Sequence, residues 1–239
     1  TYHSPDSLSE EQDKYLVDYL NDCIAAIYAT DKSDNEWERY IDAMSLAKFY
    51  IVHEVLDNIE AFCGSCYMYK DRGSDTKLKF GPVWDFSSVY TPKSDQSKFI
   101  YVNNPYVYHW IDEIAKFPHF QELVNQEWAK LRDNLDLDDF ETDFQSRVEG
   151  AVGRNVERWP SEYGTKDMAK ARENFDNKKA KKISFLNDQW FITNSIQHMQ
   201  NQTNCVGKNR TYNLSGVQVQ TRQLTPQIVI INGRKILQH

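Results

Sequence analysis

The hydrophobic period of the chain changes at Asn58, and that change limits the possible folds more than any other feature. Before it, Leu16, Leu20, Ile24 and Ile27 recur at three- and four-residue spacing, the mark of a helix face. Ser7 or Ser9 ahead of Glu10 and Glu11 marks where that helix starts. "DKSDNEW" (31–37) is a polar break. A second helix is expected from about Ser45 to Asp57, with Phe49, Val52, Leu56 or their neighbours facing inward. After Asn58 the pattern alternates. "SCYMYKD" (65–71) and "KLKFG" (77–81) flank the turn "RGSDT" (72–76), which predicts a β-hairpin whose exit leads to Asp85. Residues 91–104 read as a polar, mobile loop.

Helical spacing then returns. Phe120, Leu123, Val124, Trp128 and Leu131 share a face, and Phe140, Phe144, Val148, Val152 and Val156 recur every four residues until "RWP" (158–160) stops the helix. A charged helix over 166–191 closes the main domain, and its Lys/Arg cluster at 178–182 reads as a solvated face. Beyond Thr193 the composition shifts to Asn, Gln and Ser. The end of the chain reads as three short β runs with turns at Gly216 and Gly233, too small to form a core alone. The expected fold is α+β and mainly α-helical. Its divisions are a main domain at 1–192, a linker at 193–211 and a β appendage at 212–239.

Composition excludes several functions. With 239 residues, 40 % of them apolar and 13 % aromatic, the chain can bury a substantial core. A net charge of -7 argues against a nucleic-acid partner. No apolar run approaches the roughly 20 residues of a membrane span. The opening "TYHSPDSLSEEQ" lacks an initiator Met and a signal peptide and reads as a piece of a longer, processed protein. Cys63 and Cys66 have CxxC spacing, with Cys23 and Cys205 elsewhere. Buried or unpaired thiols, a disulfide and a metal site all remain open, with thiols favoured because no second CxxC or His pair supports a metal.

Two acids stand where chemistry could occur. Asp85 is a lone carboxylate between Trp84 and Phe86 in "FGPVWDFSSVY" (80–90), and Glu60 lies in the loop before the hairpin, in "DNIEAFCGS". A hairpin that folds back brings a loop carboxylate and a post-hairpin acid together, as in protein kinases. There one acid orients the attacked hydroxyl and the other holds a metal. Magnesium needs only one or two carboxylates when nucleotide phosphates and waters supply the remaining ligands. The structural alternative is that Asp85 caps a turn through backbone N–H groups.

The run "SLAKFYIVHEVLDNIEAFCGSCYMYKDRG…KLKFGPVWDFSSVY" resembles the CotH kinase family, atypical protein kinases that are secreted or associated with spore coats. The family carries an N-x-D element after a "YYIVNEL"-like helix, a Tyr-rich hairpin and then "GPVWDFD". Downstream, "FPHFQELVNQEWAKLRDNL" and "RNVERWP" resemble the family's "DPxFxxxLxxRWxxLR" and "RNxxRWP", so the likeness covers roughly residues 8–192. The resemblance implies a kinase-like large lobe, ATP and magnesium as cofactors, Asp85 as the metal-binding acid and Glu60 in the place of the catalytic-loop Asp. It also implies departures. Ser65 stands where a metal-binding Asn is expected and Ser87 where the second acid of "WDFD" would be. A Glu in place of Asp shifts its carboxylate by about 1 Å, worth on the order of 10²-fold in a positioned site. The resemblance also implies that the chain starts inside or after the small lobe, and with that weak ATP binding. The tail "YNLSG…IVIINGRKIL" resembles the sorting tails of secreted Bacteroidetes proteins and implies a secreted or cell-surface location.

Two functions follow as expectations. One is transfer of the ATP γ-phosphate to a protein Ser or Thr or another acceptor. The other is a degenerate member, a pseudokinase, serving as a non-catalytic surface module for glycan or protein or in a structural role. Its aromatic stock would be Tyr67, Tyr69, Trp84, Tyr90, Tyr101, Tyr106, Tyr108 and Trp110, for which core and loop packing is the plainer reading.

Overall fold

Ser9 starts the first helix, α1 (Glu10–Ile27). Its hydroxyl accepts from the Gln12 N–H, and the Gln12 side chain accepts from the Ser9 N–H, a capping box, with Glu10, Glu11 and Asp13 at the positive end of the helix dipole. Ile27 is buried and Leu16 and Leu20 are half-buried, but Cys23 takes the inward place expected for Ile24, which is exposed. The computed structural model describes residues 7–103, 110–135, 137–160 and 168–203 and the strand residues 211–212, 218–219, 227–231 and 234–238, with side chains as far as Trp190. Tyr106, Tyr108, Cys205 and the turns at Gly216 and Gly233 lie outside the described residues.

Helix α2 (Ala43–Val55) is the centre of the larger unit. Asp42 caps it by accepting from the Ser45 N–H at 2.8 Å. Leu46, Ala47, Phe49, Tyr50, Ile51, His53, Glu54 and Val55 are all buried, as in a helix surrounded by protein, while Val52 faces out instead of in. Helix α5 (Pro118–Leu131), with Pro in its first turn, packs on α2. It buries Phe120, Val124 and Trp128 on the expected face. Tyr50 meets Phe120 and Trp190 at ring centroid distances of 6.1 and 5.8 Å, and Trp128 meets Trp190 edge-on at 5.4 Å.

The hairpin forms with Met68 opposite Phe80 and Tyr69 opposite Lys79, in strands β1 (Met68–Tyr69) and β2 (Lys79–Phe80). The strands are shorter than the alternation suggests. Lys70 instead holds the turn, its ammonium donating to the Gly73 carbonyl at 2.7 Å and the Thr76 hydroxyl at 2.8 Å. Gly81 ends β2 at φ 129°, a conformation that favours glycine.

Residues 91–104 are more than a polar loop. Gln96 is buried, and two short helices follow, α3 (Ile100–Asn103) and α4 (Trp110–Ile114). Helix α6 (Leu137–Arg158) corrects the second amphipathic face. Leu137, Glu141, Gln145, Val148, Val152 and Val156 are half-buried, whereas Phe140 and Phe144 are exposed, 67 % and 56 %. A strict four-residue step turns about 40° too far each time, so Phe140 and Val156 point about 160° apart.

Helix α7 (Met168–Thr203) corrects the solvated-face reading. Lys179 and Lys182 are buried. Lys179 reaches Asp138 at 2.7 Å and Glu141 at 3.0 Å, fastening α6 to α7.

The chain divides into two units, residues 1–191 and 192–239. The second contains an antiparallel sheet in the order β4-β3-β5-β6, formed by β3 (Thr211–Tyr212), β4 (Gln218–Val219), β5 (Gln227–Ile231) and β6 (Arg234–Gln238). The fold is α+β and mainly helical, with a small hairpin set among helices. Among the described residues, no helix is long and apolar enough to cross a membrane.

Candidate functional site

The turn after α2 and the loop after the hairpin are joined by Asn58. Asp57, directly before it, takes φ 49°, and this left-handed step ends α2 and turns the chain back. Asn58 is fully buried. Its Nδ2 donates to the Asp85 carbonyl at 2.9 Å and lies 3.2 Å from His53 Nδ1. Its Oδ1 accepts from the Glu60 N–H at 3.4 Å, and its backbone pairs with Val89 across the two loops. One side chain therefore sets Glu60 and Asp85 in relation to each other.

Asp85 sits at φ 56° on the exposed rim, in a left-handed conformation that Asp adopts more readily than most residues. One carboxylate oxygen accepts from the Ser87 N–H at 3.0 Å and the other from the Ser65 hydroxyl at 3.3 Å. Hydrogen bonds from the Ser87 hydroxyl and N–H, with a smaller one from Ser65, hold the Asp85 carboxyl below its ordinary range, so it is ionised at neutral pH. Ser65 and Ser87, two of the three positions at which the chain departs from the expected pattern, both bond to Asp85.

Glu60 is exposed, and its carboxylate is not hydrogen-bonded to Asp85. Its backbone fixes the turn instead. The carbonyl accepts from the N–H groups of Cys63 and Gly64 at 3.1 and 3.2 Å and from the Cys63 thiol at 3.4 Å. Cys23, Cys63 and Cys66 are thiols, and burial pushes those of Cys23 and Cys66 up to about 12.

Behind the two acids lies an apolar and ionic support. Phe86 stacks on the buried His53 ring at 5.1 Å and 14°, and His53 also lies 4.3 Å from Phe49. Because Asn58 Nδ2 is a donor, the facing His53 Nδ1 accepts and the neutral ring carries its proton on Nε2, which is buried with no hydrogen-bond partner among the described residues. Burial lowers the His53 pKa to about 4.

Next to it, Lys182 of α7 is fully buried with Glu54 and Asp57. Its ammonium lies 2.7 Å from Glu54 and 3.2 Å from Asp57, and donates to the Lys98 carbonyl at 2.7 Å. Burial pushes the Glu54 carboxyl up, while Lys182, the Ile100 N–H and the Tyr50 hydroxyl pull it back down. The other Asp57 oxygen accepts from Ser94 and, at 2.9 Å, from Gln96 Nε2. Tyr90 closes the segment. Its hydroxyl donates to the Val55 carbonyl at 2.5 Å, and Lys178 donates to the Tyr90 carbonyl at 2.6 Å.

Sequence reasoning therefore picked out the exposed acids and missed three buried residues: Asn58, which bonds to both segments, and His53 and Lys182, which pack or pair beneath them. The family's N-x-D element, set on Asn58-Ile59-Glu60, is the signal that could have found Asn58. Nothing in the run "KKAKK" separated Lys182 from its solvated neighbours.

The donor set suits a hard cation only sparingly. It offers one exposed, ionised carboxylate and two adjacent hydroxyls, so a magnesium ion at Asp85 would depend on phosphate oxygens and waters for most of its shell. Among the described residues there is no group of three or more His, Cys, Asp or Glu side chains able to hold a metal.

No curated protein and no solved structure matches the chain. The profile of the family described as CotH kinase protein matches residues 1–189. That match spans most of the sequence, and the chain belongs to the CotH kinase family.

Proposed function

We propose that residues 1–192 are the large-lobe portion of a secreted, kinase-like phosphotransferase that moves the ATP γ-phosphate to a protein Ser or Thr. In this reading Asp85 holds magnesium, and Glu60 orients the acceptor hydroxyl and takes its proton. Bound magnesium neutralises the phosphate charge during transfer. The supporting observation is the Asn58 clamp, which ties the Glu60 turn and the Asp85 carbonyl to a single buried side chain. The serines at 65 and 87 leave Asp85 as the sole carboxylate at the metal position, so the reading predicts a slow enzyme. Residues 193–211 act as a linker, and 212–239 as a sorting tail that directs the protein to the cell surface.

The test is phosphate transfer from radiolabelled ATP by the full-length protein with Mg²⁺ or Mn²⁺, beside Asp85→Ala. Transfer by the native protein that Asp85→Ala abolishes supports the reading. Transfer unaffected by the substitution refutes the site assignment.

A second reading draws on one observation. Trp84 is 60 % exposed and meets Tyr67 edge-on at 6.3 Å beside Asp85, the kind of aromatic surface on which a sugar or peptide stacks. If native protein transfers no phosphate, a surface-binding pseudokinase is favoured, and glycan-array binding lost in Trp84→Ala would identify that role.

A further inference from the structure

Two thiols flank the serine that touches Asp85. Cys63 is exposed at the end of the Glu60 turn, and its Sγ–H donates to the Glu60 carbonyl at 3.4 Å. Cys66, three residues on, is half-buried against the core, and the nearby Cys63 thiol adds to the burial that disfavours its ionisation. Between them, Gly64 has nothing within 4 Å of where a Cβ would stand, so the turn has room to close further. Ser65, the other intervening residue, supplies the hydroxyl on Asp85 at 3.3 Å. Cys23 is buried in the core on α1 and is not part of this group.

We propose that Cys63 and Cys66 are a disulfide-forming pair, and that closing the bridge re-sets both loops of the candidate site. The chemistry is thiol–disulfide exchange with a small-molecule disulfide such as oxidised glutathione. The Cys63 thiolate, on the exposed side, attacks one glutathione sulfur, forms a mixed disulfide and releases one glutathione thiolate. The Cys66 thiolate then attacks Cys63 Sγ and displaces the second. The two protein thiols give up two protons and two electrons, and one oxidised glutathione becomes two reduced molecules.

The geometric consequences follow from the bond. An oxidised Cys63 has no S–H, so the Glu60 carbonyl loses that donor. A bridge holds the two Cα atoms about 4.4–6.8 Å apart and locks the four-residue ring that carries Ser65, the donor to Asp85. Both thiols are raised above their ordinary values, chiefly by burial. The reduced pair therefore gains nothing from a stabilised thiolate, and exchange is slow at neutral pH and speeds up about tenfold per pH unit. The proposal stands whether or not the chain transfers phosphate.

The experiment uses the whole chain with Cys205→Ser, equilibrated with reduced and oxidised glutathione, alkylated and analysed by peptide mapping. The expected result is loss of two alkylatable thiols, a Cys63–Cys66 linked peptide and a change in tryptophan emission. That change should be absent in Cys66→Ser and in Trp84→Phe, since Trp84 adjoins Asp85. A stable glutathione adduct on Cys63 with Cys66 still alkylatable would overturn the pairing. A linked peptide without any emission change would overturn its effect on the site.

Discussion

Replacing Lys182 with Met tests whether the buried ion cluster holds the site in place. The substitution keeps the length and packing of the side chain and removes its charge. It leaves Glu54 and Asp57, both fully buried, without the ammonium now 2.7 and 3.2 Å away, and the Lys98 carbonyl without its donor at 2.7 Å. Breaking a buried ion pair by removing one partner costs about 3–5 kcal/mol, a large part of the roughly 5–15 kcal/mol that holds a domain folded. Without Lys182 the raised Glu54 carboxyl moves up further. A carboxyl whose folded pKa lies above its unfolded value favours folding below the unfolded pKa and loses that contribution as pH rises through the folded one. The Lys182→Met protein should therefore be destabilised by about 3–5 kcal/mol at neutral pH and by less at mildly acidic pH. Adding Glu54→Gln and Asp57→Asn should recover part of the loss, because neutral amides can stay buried at lower cost. Urea unfolding followed by circular dichroism measures all of these. A loss below about 1 kcal/mol, with no pH dependence and no recovery in the triple variant, would refute the reasoning, since surface pairs behave that way.

Further outcomes follow from the same structure. His53 titrates near 4 when folded against 6.5 when unfolded, so stability should fall as pH drops through that window by about 3 kcal/mol in total, and His53→Phe should lose the dependence in acid unfolding curves. Asn58→Ala removes the bonds to Asp85, Glu60 and His53 together and should cost about 1–3 kcal/mol in urea unfolding, while changing Trp84 emission. Phe140→Ser and Phe144→Ser should each shift stability by no more than about 0.5 kcal/mol, because both rings are exposed.

How far the fold could be read from the sequence depended on whether a residue's environment was local. The Ser9 cap, the period change at Asn58 and the Phe120–Val124–Trp128 face are governed by neighbours within a few positions, and they appear as expected. The α6 face was misread because a four-residue repeat resembles a stripe over two turns but drifts off it over four. Lys179 and Lys182 were misread for a different reason. Lys179 also meets Asp176 on its own helix, but Glu141 and Glu54 lie 38 or more positions from the lysines they pair with, and no local pattern encodes such pairing. At the candidate site, Asp85 was visible because it breaks an aromatic run, and Glu60 because it lies in the loop before the hairpin. Asn58 was quoted only as part of a motif, and its role as a clamp depends on a bond across 27 positions to Asp85.

The central claim is that Asp85 is the carboxylate that holds the cation. Crystals of the full-length protein grown with Mn²⁺ and a non-hydrolysable ATP analogue would test it through the anomalous signal of the metal. The claim predicts a manganese peak about 2 Å from an Asp85 carboxylate oxygen, with phosphate oxygens and waters completing the shell. An ordered nucleotide whose manganese lies away from Asp85 would contradict it.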